Sequence, residues 1–135
     1  MILIVCVDDH NGMMFNHRRQ SQDRVLRADI LELTDGKKLW MNAYSRKQFA
    51  ESDAEKIRVD EMFLDAAGDG EFCFVENADV SGCVERIEEI YLYRWNRDYP
   101  AEVYFPVDLS VWKCVETKEF AGSSHEKITR ERYTC

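Results

Sequence analysis

Apolar and polar positions come in blocks along the chain, and the blocks predict an order of elements. The continuous apolar runs at Ile2–Val7 and in "EFCFV" are typical of strands covered on both faces. "KLWMNAY", "EIYLYRW" and the two halves of "AEVYFPVDLSVWKCVETKEFAG" also predict strands. "HEKITRERYTC" alternates and predicts a last strand.

Helical spacing is clearest between the first two predicted strands. Ser21 is a suitable N-cap for a helix from about Gln22 to Leu33, whose apolar positions share one face. Gly36 suits the left-handed position that follows such a helix. The very polar segment from Ser45 to Gly68 predicts two further helical pieces, and "ADVSGCVERI" at most a short helix. This order predicts one α/β domain over residues 1–135, with a mixed sheet, few helices and antiparallel strands at its end.

Composition adds limits on where the protein acts. The 135 residues are 45% hydrophobic, which suits one domain with a sizeable core. No run approaches the ~18 apolar residues that cross a bilayer. "MILIVCVDD" has no basic segment before its short apolar run, as a signal peptide would. We therefore expect a cytoplasmic protein with no membrane partner.

The charge pattern is acidic, with one basic exception. Lys and Arg number 18 against 26 Asp and Glu, giving a net charge of −8, which disfavours binding to nucleic acid or anionic lipid. The exception is a cluster of arginines beside His17, made of Arg18, Arg19, Arg24 and Arg27. It is either a solvated helix face or an anion-binding pocket, since guanidinium groups fit phosphate and carboxylate.

The polar run from Asn16 to Asp23 is the strongest candidate for a site. Its candidate ligand-binding or anion-binding residues, together with one on the first strand, are Asn16, Arg18, Arg19, Gln20, Ser21 and Cys6. A helix that begins after Ser21 would add the positive field of its free N–H groups, although Asp23 would compete for that field. We expect a sulfate, phosphate or carboxylate group to bind here; the alternative is a solvated loop.

The cysteines and the acidic turn near the N-terminus suggest no metal or redox site. The chain has five cysteines without a C-x-x-C pair, and Cys6 and Cys73 lie in apolar strands, where we expect buried free thiols. Adjacent Asp8 and Asp9 point to opposite faces of an extended chain and converge poorly on a metal. Asp8 is instead predicted to bond backbone amides beside the turn that contains Gly12.

Two stretches resemble the dihydrofolate reductase family. "LIVCVDDHNGMMFN" is similar to the family's opening strand and its Asn-Gly-containing loop. "IEEIYLYRWNRDYPAEVYFPVDLSVWKCVETKEFAG" is similar to its closing strands, with Phe105, Pro106 and Trp112 at the places of a Phe-Pro pair and a downstream Trp. Met41 in "LWMNAYS" matches the usual Met of the second strand. The resemblance implies a dihydrofolate reductase-like mixed sheet, shortened in the middle.

The family's NADPH site is altered at three places. Ala43 stands where a Gly-Arg-x-Thr turn has its phosphate-binding Arg, and only Ser45 keeps a hydroxyl, at the Thr position. Glu76-Asn77 replaces a Gly-Gly pair that lets the cofactor approach the backbone. The stretch from Met41 to Glu76 lacks room for the strand-and-loop unit that holds the adenosine end. We expect no useful affinity for NADPH.

The family's substrate carboxylate also has no clear counterpart. Counting back from Met41 without gaps puts Leu26 at the place of this proton-donating group, whereas Asp23 lies about one helical turn earlier on the same face. The pocket Thr of the family corresponds to Tyr93 and its loop Trp to Ser21.

Three hypotheses follow for the function. The one we favour is a dihydrofolate reductase-like protein that has lost NADPH binding and binds an anionic, nucleotide or pterin-like ligand, or a protein. The second is a divergent NADPH-dependent reductase of a pterin or nucleotide, with Asp23 as the catalytic acid and Ser45 as a remaining cofactor contact. The third is an interaction protein whose arginine cluster meets an acidic partner surface.

Overall fold

The computed structural model describes residues 1–49 and 55–135. Its helices are α1 (Arg24–Leu33), α2 (Ala43–Arg46) and α3 (Phe63–Ala66), with 3₁₀ turns at Lys47–Phe49, Ser81–Arg86 and Leu109–Val111. Its strands are β1 (Ile2–Val7), β2 (Gly12–Phe15), β3 (Arg18–Arg19), β4 (Leu39–Met41), β5 (Ile57–Val59), β6 (Phe72–Val75), β7 (Glu89–Arg94), β8 (Val103–Tyr104), β9 (Lys113–Phe120) and β10 (Ile128–Thr134).

The main sheet has seven strands in the order β5-β4-β6-β1-β7-β10-β9. The strands from β5 to β7 are parallel, whereas β10 is antiparallel to β7 and β9 is antiparallel to β10. A smaller sheet has the order β3-β2-β8. The predicted α/β class, with a mixed sheet that ends in antiparallel strands, is confirmed.

The central strand β1 is buried on both faces, as its continuous apolar run predicted. Leu3 and Val5 belong to one core cluster, while Ile4 belongs to the other, which packs against Leu26 and Ile30 of α1. Because side chains alternate along a strand, β1 contributes to both clusters. The carboxyl end of β1 therefore lies between the two core clusters, one on each face of the sheet.

Helix α1 begins two residues later than predicted, because Asp23 and not Ser21 is its N-cap. One carboxylate oxygen of Asp23 accepts from the N–H groups of Val25 at 2.9 Å and Leu26 at 3.1 Å. Ser and Asp are both favoured N-cap residues, so the local sequence does not decide between them. Gly36 has a φ of 76°, which confirms its left-handed conformation after the helix.

The segment from Ser45 to Gly68 differs from its helical prediction. Only the short α2 and α3 and one 3₁₀ turn form in its described part, and Ile57–Val59 form β5, which pairs with β4. The helical prediction is therefore wrong for β5, although the stretch was expected to lack room for the strand-and-loop unit of the resembled family. Arg58 and Val59 are exposed, so this edge strand lacks the apolar pattern that reveals a buried one. Residues 50–54 lie outside the described part of the chain.

The cysteines and the turn near the N-terminus lie largely where they were predicted. Cys73 is buried as a free thiol on β6, next to β1, whereas Cys6 of β1 keeps part of its surface exposed. One carboxylate oxygen of Asp8 accepts from the N–H groups of His10 and Gly12, each at 2.8 Å, which confirms its structural role. Within residues 1–49 and 55–135, no helix is long and apolar enough to cross a membrane.

Candidate functional site

The carboxyl ends of the parallel strands are where open α/β sheets usually bind ligands. Beyond the ends of β1, β6 and β7 the structure leaves a cavity of about 10 Å³, room for about one water molecule. Its lining consists of Cys6, Met13, Arg19, Gln20, Ser21, Gln48, Val75, Glu76 and Trp95. The cleft is therefore filled by the protein's own side chains.

An ion pair between Arg19 and Glu76 closes this cleft. The guanidinium donates from Nε to Oε2 at 2.8 Å and from Nη2 to Oε1 at 3.1 Å, the bidentate geometry that guanidinium and carboxylate favour. Gln48 also donates to Glu76, at 3.1 Å, and the guanidinium lies 4.4 Å from the centre of the Tyr44 ring. Burial acts to lower the pKa of Arg19, but the bonds to Glu76 outweigh it and raise that pKa.

The arrangement expected for an anion site is not the one present. Arg18 and Arg19 are neighbours on β3, so their side chains point to opposite faces. Arg19 is paired inside the cleft, while Arg18 is exposed on the surface. The first amides of α1 already donate to Asp23. The two guanidiniums and free helix amides therefore do not converge on one spot.

Asp23 is a buried carboxylate that ties α1 to the loop before β10. Beyond its two helix amides it accepts from the N–H of Ser123 at 3.0 Å, the N–H of Ser124 at 2.8 Å and Nδ1 of His125 at 3.2 Å. Burial acts to raise the pKa of Asp23, but the hydrogen bonds from backbone N–H groups outweigh it and hold that pKa far below its ordinary value. Such a carboxylate stays ionised, which makes it a poor proton donor.

His125 is the centre of this cluster, and sequence reasoning missed it. Its ring is stacked on Trp95, with the ring centres 4.6 Å apart. Nε2 lies 3.2 Å from the Ser21 hydroxyl and 3.0 Å from the Tyr99 hydroxyl. An ionised Asp23 can only accept, so Nδ1 donates to it, and in the neutral form of the ring Nε2 accepts from one of the two hydroxyls. No local pattern could reveal a contact between residues so distant in sequence.

A second buried carboxylate, Asp29, lies further along α1 and was also missed. It accepts from the Tyr93 hydroxyl at 2.6 Å, from Arg130 at 2.8 Å and from Lys118 at 3.2 Å. Burial acts to raise the pKa of Asp29, but the Tyr93 bond and the charge of Arg130 outweigh it and lower that pKa. Tyr93, which the resemblance predicted at the place of the family's pocket Thr, donates its hydroxyl to this carboxylate of α1.

The turn at the start of α2 is filled by side chains of the protein itself. The exposed Ala43 N–H donates to a carboxylate oxygen of Glu61 at 2.8 Å. Asn42 caps α2 by accepting from the Ser45 N–H at 3.0 Å, and its side-chain amide donates to Asn77 at 2.8 Å. Ser45 itself is buried, and its hydroxyl has no hydrogen-bond partner among the described residues.

A groove of about 270 Å³ lies on the surface beside the hairpin that joins β2 to β3. Asn16 and His17 form the tip of this hairpin with positive φ values of 52° and 60°. The groove brings together four of the predicted site residues, and its lining consists of Phe15, Asn16, Arg18, Arg19, Gln20, Tyr99 and Pro100. The other two, Ser21 and Cys6, line the filled cavity, where burial raises the pKa of the Cys6 thiol.

The charge of the groove comes mainly from Arg18. Arg18 is exposed and makes no ion pair with any residue of the described part of the chain. The neighbouring guanidinium of Arg19 is already neutralised by Glu76. The groove therefore offers one available cation beside the partly exposed ring of Phe15.

Comparison with known proteins identifies the fold. No family model and no curated protein sequence matches the chain. The solved structure of dihydrofolate reductase from Enterococcus faecalis complexed with NADP(H) and RAB-propyl is similar, with a TM-score of 0.69 and 11% sequence identity. The match covers 98% of this chain and 94% of that chain. The protein therefore has a dihydrofolate reductase-like fold.

Proposed function

We propose that this protein is a dihydrofolate reductase-like binding protein that does not use NADPH and binds an anionic ligand in its surface groove. The observation that carries the proposal is the closed cleft. The Arg19–Glu76 pair occupies the carboxyl ends of the parallel strands, where this kind of sheet usually holds its ligand.

Two carboxylates support the loss of NADPH binding. Glu61 accepts from the N–H of Ala43, at the turn where the resembled family holds a cofactor phosphate. Glu76 lies in the cleft at the place of the family's Gly-Gly pair. A dinucleotide phosphate would have to displace the first carboxylate and approach the second, and both steps oppose binding of a polyanion.

The surface groove has the chemistry for an anionic ligand. Arg18 supplies a planar fork of N–H donors for a carboxylate or phosphate. The rings of Phe15 and Tyr99 line the same groove and offer flat apolar surface. A nucleotide or a pterin with an acidic tail combines these two features, as does an acidic segment of a partner protein.

The divergent reductase is the alternative, and it needs a proton donor near its substrate. Asp23, the candidate acid, is saturated with amide donors and has a strongly lowered pKa. Asp29 is paired with Arg130 and Lys118, and its pKa is also lowered. Neither carboxylate is poised to give a proton near neutral pH, which favours a binding function.

Titration calorimetry with NADPH tests the first half of the proposal. We expect no saturable heat, and no change of NADPH absorbance when dihydrofolate is added. A low-micromolar dissociation constant would overturn the proposal and favour the reductase. The double variant Ala43→Arg with Glu61→Ala removes one carboxylate and restores an arginine, so any gain of NADPH affinity in it supports the electrostatic reason.

Thermal shift measurements at low salt test the groove. We expect AMP or folate to raise the melting temperature of the parent protein and of Arg58→Ala, but not that of Arg18→Ala. Arg58 is a matched control because it is an exposed arginine on β5, at the far edge of the sheet. An equal shift in Arg18→Ala would exclude the groove, and no shift with either ligand would favour an acidic protein partner.

A further inference from the structure

Three side chains beside the closed cleft form a connected chain from the interior to the surface. Asp23 Oδ2 lies 3.2 Å from His125 Nδ1, and His125 Nε2 lies 3.2 Å from Ser21 Oγ. We propose that Ser21 is a nucleophile that accepts an acyl group from small activated esters, with His125 as its base and Asp23 as the group that orients the base.

The protonation pattern of the cluster is the one that nucleophile activation needs. Asp23 is an acceptor, so it fixes the proton of His125 on Nδ1 and leaves Nε2 with a free lone pair. Two hydroxyls lie within hydrogen-bond distance of that lone pair, Ser21 at 3.2 Å and Tyr99 at 3.0 Å. A hydroxyl, a neutral imidazole and a carboxylate connected in this order generate a serine nucleophile on unrelated folds, and geometry rather than fold identifies them.

The cluster also holds the imidazole rigidly. Asp23 is fixed by the amides of Ser123 and Ser124 as well as by α1. The imidazole is stacked on the indole of Trp95, with an angle of 25° between the ring planes. The base therefore loses little conformational freedom when it takes a proton, which is the advantage of a preorganised site.

Access to the nucleophile decides the class of substrate. Asp23 is 2% exposed and His125 is 4% exposed, whereas Ser21 is only half-buried, so a reagent reaches the chain of residues at its serine end. The inner side of Ser21 faces the cavity of about 10 Å³, which has no room for a large acyl group. Short acyl esters with a good leaving group that stays in solvent fit these limits.

The reaction has two balanced steps. Ser21 Oγ attacks the ester carbonyl carbon while its proton moves to His125 Nε2, and the bond from that carbon to the leaving oxygen breaks as this oxygen takes the proton. Water then attacks the acyl-serine and gives a proton to Nε2. The bond to Oγ breaks, Oγ recovers the proton and the carboxylic acid leaves. No oxidant, metal or cofactor is consumed.

Tyr99 gives the proposal a specific signature. Its hydroxyl lies 3.0 Å from the same Nε2 that faces Ser21. A neutral imidazole nitrogen has one lone pair, so the two hydroxyls compete for it. When Tyr99 donates, Ser21 is not activated. Removing the Tyr99 hydroxyl should therefore increase the reactivity of Ser21, by about twofold if the two share Nε2 equally.

The experiment is covalent labelling with 4-nitrophenyl acetate and with a fluorophosphonate, measured by intact mass and peptide mapping at neutral pH. We expect one adduct on Ser21 in the parent, at least a tenfold loss of labelling in Ser21→Ala, and faster labelling in Tyr99→Phe. Ser110→Ala is the matched control, because Ser110 is an exposed serine bonded to Asp108 without a histidine, and it should label like the parent.

The variant Asp23→Asn separates a positioning role of Asp23 from a purely structural one. The new amide can donate to Nδ1, which moves the imidazole proton to Nε2 and removes the base from Ser21. We expect labelling to fall at least tenfold in protein that circular dichroism shows to be folded. An unlabelled parent, an adduct elsewhere, or equal labelling in folded Ser21→Ala would each overturn the proposal. Labelling is measured without AMP or folate, so this result stands apart from ligand binding in the groove.

Discussion

The two buried carboxylates of the α1 region have their negative charge compensated by different kinds of partner. Asp23, at the N-cap, is surrounded by backbone amides, hydroxyls and an imidazole. Asp29, within the helix, is surrounded by the cations Arg130 and Lys118 and by a tyrosine hydroxyl. The backbone amides around Asp23 are immobile, so they fix the orientation of its carboxylate. The cations around Asp29 mainly neutralise the charge of its carboxylate.

This difference determines what happens when either carboxylate is lost. Backbone amides packed around Asp23 cannot turn toward water, so they would stay buried without acceptors. Lys118 is 49% exposed, and its long flexible stem lets the ammonium group return to solvent. Asp23 should therefore contribute more to stability than Asp29, although Asp29 has the formal ion pairs.

The largest expected effect is that of Asp23→Ala. This change removes the N-cap of α1 and leaves the amides of Ser123 and Ser124 without their acceptor. We expect the free energy of unfolding to fall by about 3–5 kcal/mol, as measured by urea denaturation. Asp9→Ala, at an exposed aspartate, is the control and should change stability by less than about 0.5 kcal/mol. A loss for Asp23→Ala as small as that of the control would contradict the view that Asp23 holds α1 and the loop before β10 together.

Asp29→Ala comes next in size. It leaves the Tyr93 hydroxyl buried without a partner, but Arg130 keeps a second carboxylate, Glu116, at 3.4 Å. We expect a loss of about 2–3 kcal/mol in the same urea experiment. If Asp29→Ala proved more destabilising than Asp23→Ala, a carboxylate bound by cations would contribute more to stability than one bound by amides, contrary to the expected order.

The sequence alone predicted the class of fold but not the partners of the two carboxylates. The class of fold was predictable because β1 and β6 are buried on both faces and show it as continuous apolar runs. The edge strand β5 was not, because Arg58 and Val59 are exposed. Part of the predicted polar run, Asn16 and residues 18–20, lines the surface groove, but the partners of its charges were not predictable.

Those partners depend on contacts between residues far apart in the chain. Arg19 bonds Glu76, and Asp23 bonds His125, across separations of 57 and 102 residues. Helix capping rules allow both Ser21 and Asp23 to begin α1. The loop before β10 determines which of the two is the N-cap. The N–H groups of Ser123 and Ser124 in this loop donate to Asp23, while its His125 lies within hydrogen-bond distance of the Ser21 hydroxyl.

A smaller effect is expected from Gly122→Ala, which tests how closely this loop must approach Asp23. A Cβ atom at Gly122 would lie 2.5 Å from Asp23 Oδ2 and 2.9 Å from Ile128 Cδ1. The carboxylate is fixed by its amides and cannot move aside, so the loop must shift. We expect a loss of about 1–3 kcal/mol in urea denaturation. Gly82→Ala is the control, because a Cβ atom there meets nothing within 4 Å. Equal stabilities of the two variants would mean that the loop can adjust at no cost.

The smallest effect is expected from Lys118→Ala, which removes the more exposed cation of Asp29. Its ammonium lies 3.2 Å from Asp29 Oδ1, and the lysine is half-exposed, so solvent and salt screen the pair. We expect a loss below about 1 kcal/mol. Added sodium chloride should shrink the difference between Lys118→Ala and the parent, because it weakens the attraction that the parent alone possesses. The cost of Asp23→Ala should change much less over the same salt range, since its partners are amides. Equal salt dependence of the two differences would show that both carboxylates act mainly through long-range charge, and the comparison between directional and electrostatic binding would then fail.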